Sequence, residues 1–526
     1  MTGGAGSPTS EIVLATINAR YQHASLGLRY LMANAGDLRS RMTLREFTLG
    51  RPVEEIAASL LALQPRVIGL AVYIWNVVQT QALVERLKAI APQVRIVLGG
   101  PEVSHETEAQ PIARLADHVV QGPGDLAFAQ LAARLLDGDG DPPPRVIAAA
   151  QPDLSTLALP YLEYDDTDVR ERILYVEASR GCPFKCEFCL SSLDRTAWPF
   201  PLAPFLAEMA QLHRRGARRF KFVDRTFNLK PATSIAIMTF FLERIEARPD
   251  DPCFVHFELV PDHLPDALKA AIARFPAGTL QFEIGIQTFD PEVQTLISRR
   301  QHDARAEANL RWLLAESRAH LHVDLIAGLP AQTLDSLARD YDRLVAIGPH
   351  EIQLGILKRL RGAPIARHQA THAMRFSPEA PYEVIDTAAM SADELDDARL
   401  VARVQEMTAN SGRMPRLIRR IHADAPFARM RALARHLQAR FGRTHAIGLE
   451  PLFDAVVDWL AGDPRADRIA IERDALQDYA GTGASGRLGF MARGLAPAPA
   501  SPATAAATPR RQARRLRIDT RGPGVL

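Results

Sequence analysis

Cysteine is scarce in this 526-residue chain, which has only four. That excludes a disulfide-stapled scaffold and fits a reducing compartment. No apolar run approaches the roughly 18 residues of a membrane span. The opening MTGGAGSPTS lacks the basic and apolar regions of a signal peptide. A cytoplasmic protein is expected, without a membrane partner. An excess of one charge is missing too: 63 Lys and Arg against 61 Asp and Glu leave a formal net charge of +2. Nothing there points to nucleic acid or an anionic surface. The hydrophobic fraction of 47% and charged fraction of 24% are ordinary. The length allows two to four domains.

Three of the cysteines lie together. Arg180 to Leu190 read RGCPFKCEFCL, so Cys182, Cys186 and Cys189 have the spacing C-x3-C-x2-C. Thiolates at loop spacing can converge on one soft metal centre, as iron–sulfur clusters require. A four-iron cluster held by three cysteines keeps one iron open for another ligand. A structural zinc site is a rival, but only Cys186 and Cys189 make a C-x2-C pair and no second pair follows. Three separate core thiols are the plainest alternative. The fourth cysteine, Cys253, reads as a packing thiol.

With Phe188 just before the last cysteine, C-x3-C-x-F-C resembles the signature of radical S-adenosylmethionine (SAM) enzymes. The resemblance implies a [4Fe-4S] cluster on Cys182, Cys186 and Cys189, SAM chelating its open iron, and Phe188 near the adenine.

Upstream, short apolar strands alternate with amphipathic helices: Glu11–Asn18, Val67–Ile74, Arg95–Leu98 and His118–Gln121 as strands, with helices near 26–34, 80–90 and up to Leu136. That pattern predicts an open parallel sheet whose ligand binds outside the carboxyl ends of the strands. Gly99-Gly100-Pro101 and Gly122-Pro123-Gly124-Asp125 stand at two of those ends. They either make tight turns or let a bulky ligand approach the backbone.

The order of these features over residues 11 to about 138 is similar to the cobalamin-binding domain found ahead of many radical enzymes. The resemblance implies cobalamin held by Tyr73, Gly99, Gly100, Gly122, Gly124 and the loop carrying His23. Two features depart from that family. The loop RYQHASLG has Tyr21 and Leu26 where the D-x-H-x-x-G pattern has its acid and glycine, which leaves His23 without an orienting carboxylate. Ala71-Val72-Tyr73 replaces S-x-L, removing a serine hydroxyl.

From Ile173 onward there are six candidate strands: Ile173–Ala178, Phe220–Asp224, Cys253–Val260, Leu280–Gln287, Leu321–Ala327 and Glu351–Lys358. Segments of helical spacing separate them. Gln281, Glu283, Gly285 and Gln287 share one strand face, His256 and Glu258 another, and His322 and Asp324 a third. A polar face on neighbouring strands implies a polar lumen; mutual pairing of these groups is the alternative. The fold expected is α/β: a Rossmann-like cobalamin-binding domain, a partial (β/α)6 TIM-like barrel and a C-terminal α-helical domain. By resemblance, Asp224 in FVDRTF takes the SAM amino group, although the family's two glycines are missing there. Glu283 and Gln287 take the ribose or methionine end, and Ile326 and Gly328 border the adenine.

The expected division is a disordered start (1–10), the cobalamin-binding domain (11–138), a loop-like linker (139–170), the barrel (171–375), a helical domain (376–485) and a disordered basic tail (486–526). This layout resembles an uncharacterised bacterial subgroup. It implies a cobalamin-dependent radical SAM enzyme that functionalises an unactivated carbon, most often by methyl transfer. Radical cyclisation or rearrangement is the competing reaction, and a non-catalytic cobalamin and iron–sulfur sensor the competing class. The partners implied are a small-molecule or peptide substrate and a low-potential electron donor of flavodoxin or ferredoxin type.

Overall fold

Ile12–Asn18 (β1) is buried along its whole length. A strand with both faces covered is mostly apolar, and β1 shows why in a computed structural model of the chain. The structure describes residues 10–138, 141–194 and 196–493. The expectations for residues 1–9 and 494–526 lie outside these. Val13, Ala15 and Ile17 pack on one side of the sheet, with Ile56, Leu83 and Leu87 from the helices Val53–Leu61 and Val77–Ile90. Ile12 and Leu14 pack on the other, with Leu28 of Leu26–Ala33 (α1) and Phe128 of Ala127–Asp137.

The chain divides into two units. The first comprises Met1–Glu258 with Lys358–Ala366 and Ser377–Glu383. Its main sheet is parallel, built from β1, Met42–Thr48 (β2), Val67–Ala71 (β3), Arg95–Gly99 (β4), His118–Gln121 (β5) and Val146–Ala148 (β6), in the order β2-β1-β3-β4-β5-β6. The four-strand expectation is thus corrected to six. β2 sits at the edge and is only half buried, so it lacks the apolar run that marks its neighbours. β6 is three residues long and corrects the reading of 139–170 as all loop.

A second correction in that segment is the helix Asp166–Glu171. Asp165 caps it, accepting from the Asp168 N–H, while the Asp168 carboxylate accepts from the Asp165 N–H. The unit continues with Leu174–Val176 (β7), Arg219–Phe222 (β10) and Phe254–Leu259 (β11), parallel in the order β7-β10-β11. Ser179–Gly181 (β8) and Ala197–Pro199 (β9) form an antiparallel ribbon between β7 and β10 in sequence.

The second unit comprises Leu259–Leu357, Arg367–Phe376 and Val384–Leu526. Leu280–Gln287 (β12), His320–Ala327 (β13) and Glu351–Ile356 (β14) are parallel, with β13 between the other two. All six strands expected after Ile173 are therefore present, three in each unit. In β12 and β13 the predicted alternation holds from Glu283 on: Ile284, Ile286, Val323 and Leu325 are buried, while Glu283, Gln287, His322 and Asp324 are only partly buried; Gln281, expected on the polar face, is itself buried. Five helices follow between Ala392 and Ala480. Leu488 and Phe490 are buried beyond them, so order extends past the expected start of the tail at 486. Among the described residues no helix is long and apolar enough to cross a membrane.

Candidate functional site

The order β2-β1-β3-β4 places β1 between β2 and β3, and open α/β sheets bind ligands at the carboxyl ends of their strands beside such a reversal. A cavity of about 230 Å³ opens there on the α1 side. Leu28, Leu70, Leu98 and Phe128 give it apolar walls, and Tyr73, Gly99, Gly100, Gly122 and Gly124 all line it. Five of the six residues assigned to cobalamin by resemblance are thus brought together. A floor of apolar side chains, glycine edges and few polar groups suits a large, mostly flat ligand. Ala71 also lines it, presenting a methyl where the family pattern has a hydroxyl.

His23 is not among the lining residues. It bridges to Ile173 and meets the Tyr175 ring edge-on at 5.9 Å. Burial lowers its pKa, with Arg20 next in effect.

Gly100 is required where it stands. Its φ is +107°, and a Cβ there would lie 2.5 Å from the Val72 carbonyl oxygen. That carbonyl belongs to backbone tied down by the Val72 N–H, which donates to the Gly99 oxygen at 2.8 Å. Gly100→Ala is expected to cost about 1–3 kcal/mol of stability and to weaken corrinoid binding at least about tenfold, read by thermal melting and by visible-absorbance titration.

Beyond Gly100, Glu102 and Glu106 are held by residues to which sequence reasoning gave no role. Arg359 donates to Glu106 at 2.8 Å, and Arg361 and the Tyr382 hydroxyl donate to Glu102 at 2.9 and 2.7 Å. Gly362 lies so close to His105 that a Cβ would meet its ring at 2.4 Å.

The three clustered cysteines lie on the loop that follows β8. Gly181 closes the base of that loop at φ +86°, where a Cβ would lie 2.4 Å from the Thr196 oxygen. Inside the loop the Cys189 N–H donates to the Cys186 oxygen at 3.0 Å. Lys185 donates to the Ser192 oxygen at 3.1 Å and also to that of Asp194. Cys182 is buried, 3.7 Å from the Thr226 hydroxyl; Cys186, Cys189 and Phe188 are half buried. None of the four cysteines is in a disulfide.

Among the described residues no three His, Cys, Asp or Glu side chains are gathered to hold a single metal ion.

Asp224 stands just after β10 and is buried. Its carboxylate accepts from the Ala178 N–H at 2.9 Å and the Ser179 hydroxyl at 2.6 Å. It therefore braces the chain between β7 and β8, just ahead of the cysteine loop. Burial raises its pKa to about 7 against these two bonds.

In the second unit, Glu283 pairs in register with His322, and His322 with Glu351. The imidazole Nε2 lies 3.2 Å from Asp324 and Nδ1 3.7 Å from Glu351. Burial works to lower the pKa of His322, but Asp324, Glu351 and Glu283 prevail and raise it. Gln287 sits at a register shift with φ +69°, and its Oε1 has no hydrogen-bond partner among the described residues. Gln332, which sequence reasoning missed, accepts from the Gly328 N–H at 2.8 Å and donates to the Ile326 oxygen at 3.0 Å. One buried amide so fixes the backbone that Ile326 and Gly328 were expected to contribute.

A B12 binding domain matches residues 12–132, the radical SAM superfamily residues 176–344, and a protein of unknown function family (DUF4080) residues 370–479. The cobalamin-dependent radical SAM methyltransferase TokK of Streptomyces tokunonensis is 24% identical over 78% of this chain and 64% of its own length. The chain thus spans slightly less than two thirds of that relative. Among solved structures, the cobalamin-dependent SAM radical enzyme OxsB covers 91% of this chain and 82% of its own, with TM-score 0.60 and 12% identity. The radical SAM methyltransferase TsrM of Kitasatospora setae covers 70% and 78%, with TM-score 0.56 and 16% identity. These two likenesses are of fold.

The chain carries a radical SAM superfamily domain over residues 176–344, with a B12 binding domain ahead of it over residues 12–132. Its cofactors are cobalamin, a [4Fe-4S] cluster and SAM.

Proposed function

We propose that this protein is a cobalamin-dependent radical SAM enzyme that transfers a methyl group to an unactivated carbon of a small-molecule or peptide substrate. The observation carrying the reading is that Arg180, two residues before Cys182, forms part of the wall of the glycine-edged cavity, so the cluster loop and the corrinoid cavity share a boundary. The name of TokK as a methyltransferase favours methyl transfer over rearrangement. When bound, the cluster and SAM supply reductive cleavage of a sulfonium and the corrinoid supplies a methyl carrier.

The chain's own part is to hold and orient. Cys182, Cys186 and Cys189 would ligate the cluster, with Phe188 beside the nucleotide. Asp224 is already spent on two bonds, but each carboxylate oxygen has a further lone pair for an ammonium. Glu283 and Gln287 offer acceptors on the polar face of β12, and the unpartnered Gln287 oxygen awaits a donor. The low-potential electron donor is of flavodoxin or ferredoxin type, and the clustered thiols suit a reducing cytoplasm.

The test uses oxygen-free protein loaded with iron, sulfide and cobalamin, then given SAM and reductant. S-adenosylhomocysteine together with 5′-deoxyadenosine supports methyl transfer. 5′-Deoxyadenosine alone, with the corrinoid bound, moves the reading to radical cyclisation or rearrangement. SAM bound but left intact overturns catalysis in favour of a sensor.

A further inference from the structure

Arg180 is a charged side chain in the wall of a largely apolar cavity, and its surroundings explain how it is held. Its Nη1 and Nη2 donate to the two oxygens of Asp125 at 2.9 and 3.0 Å, and its Nε donates to Glu177 at 2.8 Å. The guanidinium lies over the Tyr30 ring, 4.4 Å from its centroid. A fork-to-carboxylate pair fixes orientation as well as distance. Asp125 is buried and follows Gly122-Pro123-Gly124 at the carboxyl end of β5, so it too lines the cavity. The salt bridge therefore joins the glycine edge of the first sheet to β8, the strand that leads into Cys182.

The link is stiff at the cysteine end. Arg180 pairs in register with Trp198, Gly181 with Ala197, and Gly181 has no room for a side chain. A displacement of Arg180 is passed directly to the base of the cysteine loop.

A guanidinium has five N–H groups. The three bonds to Asp125 and Glu177 use three, which leaves one N–H on each of Nη1 and Nη2 without an acceptor among the described residues. The Arg180 side chain is 18% exposed, and a donor largely shielded from water gains from an acceptor. A ligand filling the cavity is placed to supply the acceptor. Asp125 already offsets the guanidinium charge and Glu177 adds a second carboxyl, so the site favours a neutral carbonyl over a phosphate. The corrin periphery carries amide carbonyls.

We propose that Arg180 is a positioning residue through which the two cofactors load cooperatively: it donates to an amide oxygen of the corrinoid while holding the start of the cluster loop. This rests on the reading of the cavity as the corrinoid site. Because coupling between two sites is reciprocal, a bound corrinoid steadies the cysteine loop and a built cluster tightens corrinoid binding.

The experiment is equilibrium dialysis of hydroxocobalamin against the full chain, with the cluster built and with it removed, for the parent, Arg180→Gln and Asp125→Asn. The parent is expected to bind at least about fivefold more tightly with the cluster present. Arg180→Gln is expected to bind more weakly and equally in both states. The electron paramagnetic resonance spectrum of the reduced cluster should change on corrinoid addition in the parent and not in the variant. Asp125→Asn frees Arg180 without touching the cysteine strand, and should bring the ratio toward one even if Arg180→Gln folds poorly. Cobinamide, which keeps the corrin amides and lacks the nucleotide phosphate, should show the same dependence.

A parent ratio of one, or a variant that keeps the parent ratio, overturns the coupling. Dependence seen with cobalamin and lost with cobinamide overturns the amide contact. A parent chain that takes up no corrinoid in either state sinks the reading of the cavity, and this inference with it.

Discussion

Cys186→Ala is expected to abolish cluster assembly outright. Prepared without oxygen and given iron and sulfide, the parent chain should be brown and carry both elements, and the variant should carry neither. The loss is complete because the loop has no substitute ligand. Two thiolates leave a four-iron cube with two irons unheld. Among the described residues no other His, Cys, Asp or Glu set is gathered at a metal-binding point. The fourth cysteine cannot step in either: Cys253, just before β11, is 1% exposed, and burial pushes its thiol up to about 11. Metal binding demands a thiolate, so such a thiol is a poor ligand at neutral pH. Cys253→Ala is the matching control and should keep full iron and sulfide.

The cavity proposed for the corrinoid draws most of its walls from the first sheet and its helices, so Cys186→Ala should still take up cobalamin. Its affinity should drop by about the coupling factor of fivefold or more. A variant with parent-level iron and sulfide would show that the cysteines are not the ligands. A colourless parent holding one zinc per chain would replace the cluster altogether.

How much of this was legible beforehand depends on the range of the interaction. Gly99, Gly100, Gly122 and Gly124 announce themselves because glycine pairs at strand ends are a local signal, and the cavity gathers all four. The alternation from Glu283 to Gln287 likewise reads onto the partly buried face of β12, whereas Gln281 at its start is buried. β2 was missed because an edge strand needs only one covered face, and MTLREFT has no apolar run.

The braces were illegible for another reason. Arg359 reaches Glu106 across 253 residues and Tyr382 reaches Glu102 across 280, and no pattern within a segment encodes a partner that distant. Arg180 falls between these cases. Its place in RGC is visible, yet only the fold shows that its fork closes on Asp125. His23 shows the reverse error, a suggestive residue type in a suggestive loop whose ring packs against Tyr175 instead of lining the cavity.

The second large effect concerns the acidic segment read as a linker. Asp168 lies in a buried four-charge set with Arg29, Glu46 and Arg172, each side chain no more than 7% exposed. Arg29 donates to Glu46 at 2.9 Å and Asp168 at 2.6 Å; Arg172 pairs with both carboxylates as well. Glu46 also accepts from the Ser25 N–H at 2.6 Å and from Asn18 at 2.9 Å. The set ties α1 and β2 to the helix Asp166–Glu171.

Burial pushes the Glu46 pKa up, but Arg29, Arg172 and Asn18 outweigh it and bring it from 4.5 to about 2. A depressed carboxylate stabilises the fold above its unfolded pKa. That contribution, about 3 kcal/mol, is lost as pH falls from near 4.5 toward 2. Arg29→Met leaves Glu46 and Asp168 sharing one arginine in a dry site, a loss of about 3–5 kcal/mol. Hydrogen exchange of the Ile12–Asn18 amides should accelerate accordingly, and acid unfolding of this region should move to higher pH. Glu46→Gln should flatten the acid dependence between 4.5 and 2, because it removes the group that titrates there. Parent-like exchange and an unmoved acid midpoint in Arg29→Met would show that Arg172 alone carries both carboxylates, and that the segment is held to the first sheet by packing rather than by charge.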